Sequence, residues 1–161
     1  MTSHYLTPNK RTYVGTKLFF NLALTRLIAA EQLKLVNVKI DLIDLRTIKP
    51  LDWDSVFASV RKTRKLLVLD TGAETNSFAS EIIARVCDEC WNELSISPER
   101  ITMPDCPEPT SYGLTKNFYP SANTIISRVC EMMKLKVNLS DIMLEEGGHH
   151  DVPGDWFKGP F

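Results

Sequence analysis

An excess of charge of either sign is the first thing this sequence lacks. Its 19 Lys and Arg residues against 20 Asp and Glu leave a formal net charge of -1. Such a chain presents no basic field to a phosphate backbone and no acidic tail that imitates one, so nucleic-acid binding is not expected. Long hydrophobic runs are missing too. The most apolar segment, Leu18 to Leu35, is interrupted by Asn21, Arg26, Glu31 and Lys34. A bilayer span needs about 20 predominantly apolar residues, so no membrane partner is expected. The opening Met1-Thr2-Ser3-His4-Tyr5 has neither the basic start nor the apolar middle of a signal peptide, which leads us to expect a cytoplasmic protein.

Catalytic signatures are also scarce. The sequence holds no Gly-x-Gly-x-x-Gly, no phosphate-binding loop and no Gly-x-Ser-x-Gly, the patterns that cradle phosphates or expose a nucleophilic serine. Ser77 and Ser80 lie near Glu81, but no His in the expected core could act as a base between them. His149 and His150 are adjacent, so regular structure would point them apart, and no His, Cys, Asp and Glu cluster has metal-ligand spacing. The four cysteines stand at 87, 90, 106 and 130. A chain of 161 residues is long enough to bury a core without a disulfide frame. Cys87-Asp88-Glu89-Cys90 has the spacing of a redox pair, yet it is expected deep inside a helix over Phe78 to Leu94. Redox pairs open a helix, where the dipole lowers the thiol pKa, whereas acidic neighbours raise it. Helix packing is therefore the favoured reading of this pair, and a small redox protein is the rival.

What remains is an ordinary globular balance, 43% hydrophobic and 24% charged, with a clear alternation of elements. Leu18-Phe19-Phe20 reads as a short strand, and Ala23 to Leu35 as a helix with Ala23, Leu27, Ala30 and Leu33 recurring. Val38 to Leu45 alternates as a strand does. After Pro50, Asp52 is placed to cap a helix over Trp53 to Thr63, with Val56, Phe57 and Val60 facing inward. Lys65-Leu66-Leu67-Val68-Leu69-Asp70 carries four successive aliphatic residues, the mark of a strand buried on both faces of a parallel sheet. Ser77 can cap the next helix, whose stripe is Phe78, Ile82, Ile83, Val86, Cys90 and Trp91. Ile101-Thr102-Met103 is a short strand, and a last helix runs from Ser121 to Met133. The order predicts an α/β fold with a mostly parallel sheet and helices on both faces.

Two segments invite a functional reading. Ile43 to Asp52 is a strand end that passes through Pro50 into a capped helix. It is either a structural corner, with Arg46 pairing a carboxylate, or a place where Arg46 or Lys49 faces a ligand phosphate at the carboxyl ends of the strands. The residues alone favour the corner. The second is the loop from Met103 to Pro120, rich in proline, with Pro107, Pro109, Tyr112, Phe118 and Tyr119. Aromatics on a rigid loop suit a protein interface, or they cover a sheet edge.

The same segments carry a likeness. Asp44-Leu45-Arg46-Thr47-Ile48-Lys49-Pro50-Leu51-Asp52 resembles the "DLRTxxPLD" stretch of transketolase C-terminal domains, in the form found in β subunits of pyruvate and branched-chain 2-oxo-acid dehydrogenases. Leu66 to Gly72 resembles the strand and acidic-Gly turn that follow it. Phe78-Ala79-Ser80-Glu81-Ile82 is similar to "FGAEI", Asp105-Cys106-Pro107-Glu108-Pro109 to "DVPxP", and Phe118-Tyr119-Pro120 to the "YxP" entry into the last helix. Ala79 stands where the family pattern has glycine, and Ala73-Glu74-Thr75-Asn76-Ser77 replaces a glycine-rich approach.

The resemblance implies a three-layer sandwich around a five-stranded, mostly parallel sheet with one antiparallel strand. We divide the chain into a lead-in over 1–15, a transketolase C-terminal-like domain over 16–135 and an extension over 136–161. The resemblance further implies thiamine diphosphate and magnesium in the whole enzyme but none bound by this chain alone, whose catalytic residues would lie elsewhere. The implied role is assembly, as a homodimer and with the α subunit and acyltransferase core of a 2-oxo-acid dehydrogenase complex. From the residues themselves, the expected interface comprises Pro107, Pro109, Tyr112, Phe118 and Tyr119, with Trp156, Phe157 and Phe161, beyond the family's usual end, as an apolar clasp onto a partner or onto the domain itself. The alternative is a stand-alone, non-catalytic protein-binding module that has kept the fold.

Overall fold

The computed structural model describes residues 10–16, 20–45, 47–115 and 118–144, with backbone alone at 10–16, 20–24 and 112–113. Its elements alternate as expected: β1 (Lys10–Thr16), α1 (Phe20–Leu35), β2 (Lys39–Leu45), α2 (Trp53–Thr63), β3 (Leu66–Ala73), α3 (Phe78–Cys90), β4 (Glu99–Met103), a short α4 (Tyr112–Thr115) and α5 (Ala122–Met132). The strands stand in the order β2-β1-β3-β4, and every pairing is parallel. Among the described residues the sheet therefore has four strands, all parallel, and the fifth, antiparallel strand is not among them.

Of the short strand expected over Leu18-Phe19-Phe20, the first two residues lie outside the described residues and Phe20 opens α1, while β1 lies earlier, pairing β2 on one side and β3 on the other. A short apolar run cannot be told from the start of a helix by pattern alone, and here the strong helix formers Leu22-Ala23-Leu24 follow it. Most of β1 falls in the stretch read as a lead-in, so that stretch contributes a central strand.

β3 explains why the domain has two cores. Successive side chains on a strand point to opposite faces. Leu67 and Leu69 accordingly join Ala29, Leu33, Ile125, Ile126 and Val129 beneath α1 and α5. Leu66 and Val68 join Val56, Val60, Ala79, Ile82 and Val86 beneath α2 and α3. The result is a three-layer sandwich with helices on both faces. Each fully buried aliphatic side chain contributes about 1.5–3 kcal/mol. On α1 the buried face comprises Arg26, Ala29 and Leu33, while Leu27 is exposed; the stripe is rotated by one residue from the expected one. None of the described helices is long and apolar enough to cross a membrane.

The caps divide into one as read and one corrected. Asp52 caps α2, accepting from the Ser55 amide at 3.1 Å and the Ser55 hydroxyl at 2.6 Å. Those bonds hold its carboxyl below the usual carboxylate range. Ser77 occupies the N-cap position of α3 but makes no capping bond; its hydroxyl meets that of Ser80 at 3.1 Å. The inward stripes are likewise narrower than read. Phe57 is half-buried, and Trp91 lies in a 3-10 turn beyond α3 with its side chain exposed.

Candidate functional site

The chain reverses its direction of travel across the sheet between β1–β2 and β2–β3, so the carboxyl ends of β1 and β3 flank a topological switch point, the usual ligand crevice of such sheets. The residues just after Thr16 lie outside the described residues. The β3 side is built by Asp70. This carboxylate, 3% exposed, accepts from the Gly72 amide at 3.0 Å and from the Ala79 amide at 2.8 Å. Ala79 belongs to the first turn of α3, so Asp70 supplies the capping bond that Ser77 does not. Ala79 itself is fully buried, and its methyl group is accommodated where the family pattern has glycine.

Asp105, at the start of the proline-rich loop, accepts from both the amide (2.8 Å) and the hydroxyl of Thr75. These bonds tie the loop to the β3–α3 turn and lower the Asp105 pKa, the Thr75 hydroxyl contributing most. Both Asp52 and Asp105 therefore stabilise the fold in their charged form. A depressed folded-state pKa gives stability that is present above the unfolded value, about 3.9, and is lost as pH falls through the folded value. The urea midpoint should accordingly fall on acidification below about pH 4, with a shallower slope in a D52A/D105A variant. An unchanged slope would reject this assignment.

A second concave region lies between the start of α2 and the first turns of α3. It is a groove of about 480 Å³ lined by Ile48, Lys49, Pro50, Leu51, Trp53, Phe78, Glu81 and Arg85. From its lining residues Arg85 and Trp53 a ladder of cations and rings continues along α2. Arg85 lies over Trp53 at 5.0 Å, Trp53 stacks on Phe57 at 5.6 Å, and Arg61 lies over Phe57 at 5.8 Å. Each cation–π contact at such an exposed site contributes about 0.5–1 kcal/mol. The spacing of Trp53, Phe57 and Arg61 puts them on one helix face; of the three, only Phe57 is expected from the sequence to face the core.

Of the residues singled out from sequence, Lys49 is exposed and lines this groove, while Arg46 lies outside the described residues. The carboxylate of that motif, Asp44, meets Arg26 of α1 at 2.7 Å. Pro107 is exposed and Pro109 half-buried on the loop that Asp105 anchors. Tyr112 opens α4, and Phe118 and Tyr119 pack edge to face at 5.1 Å. The Tyr119 hydroxyl donates to Glu108 across the loop. Trp156, Phe157 and Phe161 lie outside the described residues.

Burial raises the thiol pKa of both Cys87 and Cys90, and Asp88 adds to the effect on Cys87. Neither has the depressed pKa of a redox nucleophile. With a thiol reagent at neutral pH, exposed Cys106 should react first, and the buried Cys90 and Cys130 only on unfolding. Rapid loss of the Cys87 thiol would reverse this reading.

A magnesium–diphosphate group needs oxygen donors free to converge on one point. Asp70 and Asp105, at the carboxyl edge, are both engaged by backbone amides. No three His, Cys, Asp or Glu side chains form a metal set among the described residues. These residues do not fit that group.

The profile of the family described as "Transketolase, C-terminal domain" matches residues 23–125. The chain belongs to the transketolase C-terminal domain family. It is 34% identical over 109 residues to the acetoin:2,6-dichlorophenolindophenol oxidoreductase subunit beta of Bacillus subtilis, covering 68% of this chain and 32% of that protein. It is 41% identical over 95 residues to the pyruvate dehydrogenase E1 component subunit beta of Mycoplasma pneumoniae, covering 59% and 29%. The chain thus spans about a third of the length of the curated relatives it matches. Among solved structures, one described as "Split gene transketolase, inactive beta4 tetramer" superposes with a TM-score of 0.63 at 18% identity, covering 81% of this chain and 40% of that one. That likeness speaks to the fold.

Proposed function

We propose that this domain serves assembly, forming subunit contacts and docking partners in a thiamine-diphosphate-dependent 2-oxo-acid dehydrogenase β subunit or a related transketolase-like enzyme. The observation that carries the proposal is the built surface of the loop after β4. Asp105 pins its start to Thr75, and the Tyr119–Glu108 bond closes it. Tyr119 and Leu114 remain 36% and 65% exposed on this loop. Interfaces favour such pre-organised aromatic and apolar groups, because little side-chain freedom is lost on binding. Pro107, Pro109, Tyr112, Phe118 and Tyr119 form the proposed contact surface. In the assembled enzyme the domain extends over 16–135 together with the β1 strand, a fifth, antiparallel strand completes the sheet, and the protein works in the cytoplasm. Its partners are a second copy, an α subunit and an acyltransferase core, and the cofactor is held by other parts of that enzyme.

Sedimentation at tens of micromolar, a range suited to interfaces of ordinary affinity, should find a dimer that an L114D/Y119D variant weakens about a hundredfold. Assays with thiamine diphosphate, magnesium and 2-oxo acids should show no turnover by the isolated chain. A monomer at that concentration would refute the dimer, and turnover would refute a purely assembling role.

A further inference from the structure

We infer that the groove between α2 and α3 is a docking site for the C-terminal segment of this same chain, Asp151 to Phe161. The groove combines an apolar floor with charged walls. Leu51 is buried beneath it, Ile48 is 50% exposed at its mouth, and Trp53 and Phe78 are half-buried along it. Lys49 and Arg85 stand around it with Glu81. Neither cation forms an ion pair with a described carboxylate, and Arg85 rests on the Trp53 ring instead. A matching occupant has aromatic or branched apolar anchors, more acidic than basic groups, and proline or glycine in place of regular structure.

Asp151-Val152-Pro153-Gly154-Asp155-Trp156-Phe157-Lys158-Gly159-Pro160-Phe161 has that composition. Trp156, Phe157 and Phe161 supply anchors for the apolar floor. Asp151 and Asp155 complement Lys49 and Arg85, and Lys158 complements Glu81.

The chain can also reach. Leu144 is fixed by a pair of hydrogen bonds to the Asn123 side chain in the first turn of α5, both 2.9 Å. The roughly 12 residues from there to Trp156, at about 3.3 Å each, extend to about 40 Å. All strands are parallel, and α2, α3 and α5 each start after the carboxyl end of a strand, so the tail's point of departure and the groove share that edge of the sandwich and the tether need only cross it from one helical layer to the other. Docking in the same chain also has the advantage of effective concentration. A short flexible tether makes binding intramolecular at about millimolar local concentration, so even a weak contact is populated. The inference is separate from the assembly proposal, because it is read by contact mapping within one chain rather than by oligomeric state.

The test uses the full chain with Phe157 replaced by the photo-crosslinker p-benzoylphenylalanine, irradiated at about 1 µM, low enough to favour intramolecular products. Crosslinks should form within single chains, on peptides containing Ile48 to Trp53 or Phe78 to Arg85. An R85E substitution at the exposed rim should cut their yield several-fold. In parallel, hydrogen exchange at the amides of Leu51 and of the first turns of α2 and α3 should quicken about tenfold in a W156A/F157A/F161A variant. A far-UV circular dichroism spectrum and urea midpoint of that variant matching wild type distinguish lost docking from lost fold. Crosslinks that map to another face, the same crosslinks found only between two copies, or unchanged exchange would each overturn the inference.

Discussion

Replacing Asp70 with alanine is expected to lower the unfolding free energy by about 2–4 kcal/mol, as much as truncating a core side chain. Its carboxylate is 3% exposed and accepts from the amides of Gly72 and Ala79. Alanine removes both acceptors at once and leaves two backbone donors without their partner at a site water barely enters. The loss should spread to α3, whose N-terminal turn has no capping bond from Ser77. Asparagine provides the discriminating control. It keeps the shape and one acceptor oxygen but turns an NH₂ group toward the second donor, so D70N should fall between wild type and D70A. The measurement is urea unfolding followed by far-UV circular dichroism. A D70A loss below about 0.5 kcal/mol, within the usual range for inert surface changes, would show that these bonds do not hold the turn.

Asp70 also shows what could be read from the sequence and what could not. The strand before it was legible because four aliphatic residues in a row fit a strand buried on both faces, and Leu66 to Leu69 do feed the two cores alternately. The acidic residue at its end was visible as part of a turn. Its bond to Ala79, nine positions away, was not, because local pattern does not report which amide a side chain reaches in the folded chain. Ser77 illustrates the same limit from the other side. Its residue type and position satisfied the capping rule, yet the amide was already taken by Asp70. The first strand was misplaced for a different reason. Lys10-Arg11-Thr12-Tyr13-Val14-Gly15-Thr16 carries too little apolar character to announce a central strand, whereas Phe20, the last residue of the apolar Leu18-Phe19-Phe20 run, opens α1. The groove was half legible. Its proline corner and capped helix were evident, but Arg85 comes to Trp53 from another helix, and no spacing rule connects α3 with α2.

The carboxylate of the same corner sets up the second large effect. Asp44, next to last in β2, lies beside Arg26 of α1, with Arg26 only 6% exposed and the two groups 2.7 Å apart. The Arg26 Nε has no hydrogen-bond partner among the described residues and is shielded from solvent. A buried guanidinium whose countercharge is removed is costly, because its desolvation is no longer offset. D44L alone should therefore lose about 2–3 kcal/mol, toward the lower end for buried pairs because the Asp44 side chain remains 29% exposed. R26M alone should lose less, about 1–2 kcal/mol, since water can still reach the remaining carboxylate. The two losses are not expected to add. With both charges gone, the site becomes an apolar contact between α1 and β2, continuous with the core formed by Ala29 and Leu33. The R26M/D44L double variant should then lie within about 1 kcal/mol of wild type, as seen when ion pairs are exchanged for well-packed apolar groups. Unfolding of the four proteins in urea closes the cycle. Additive losses would mean that the pair is not energetically coupled, and the aspartate of this motif would need an explanation outside the fold.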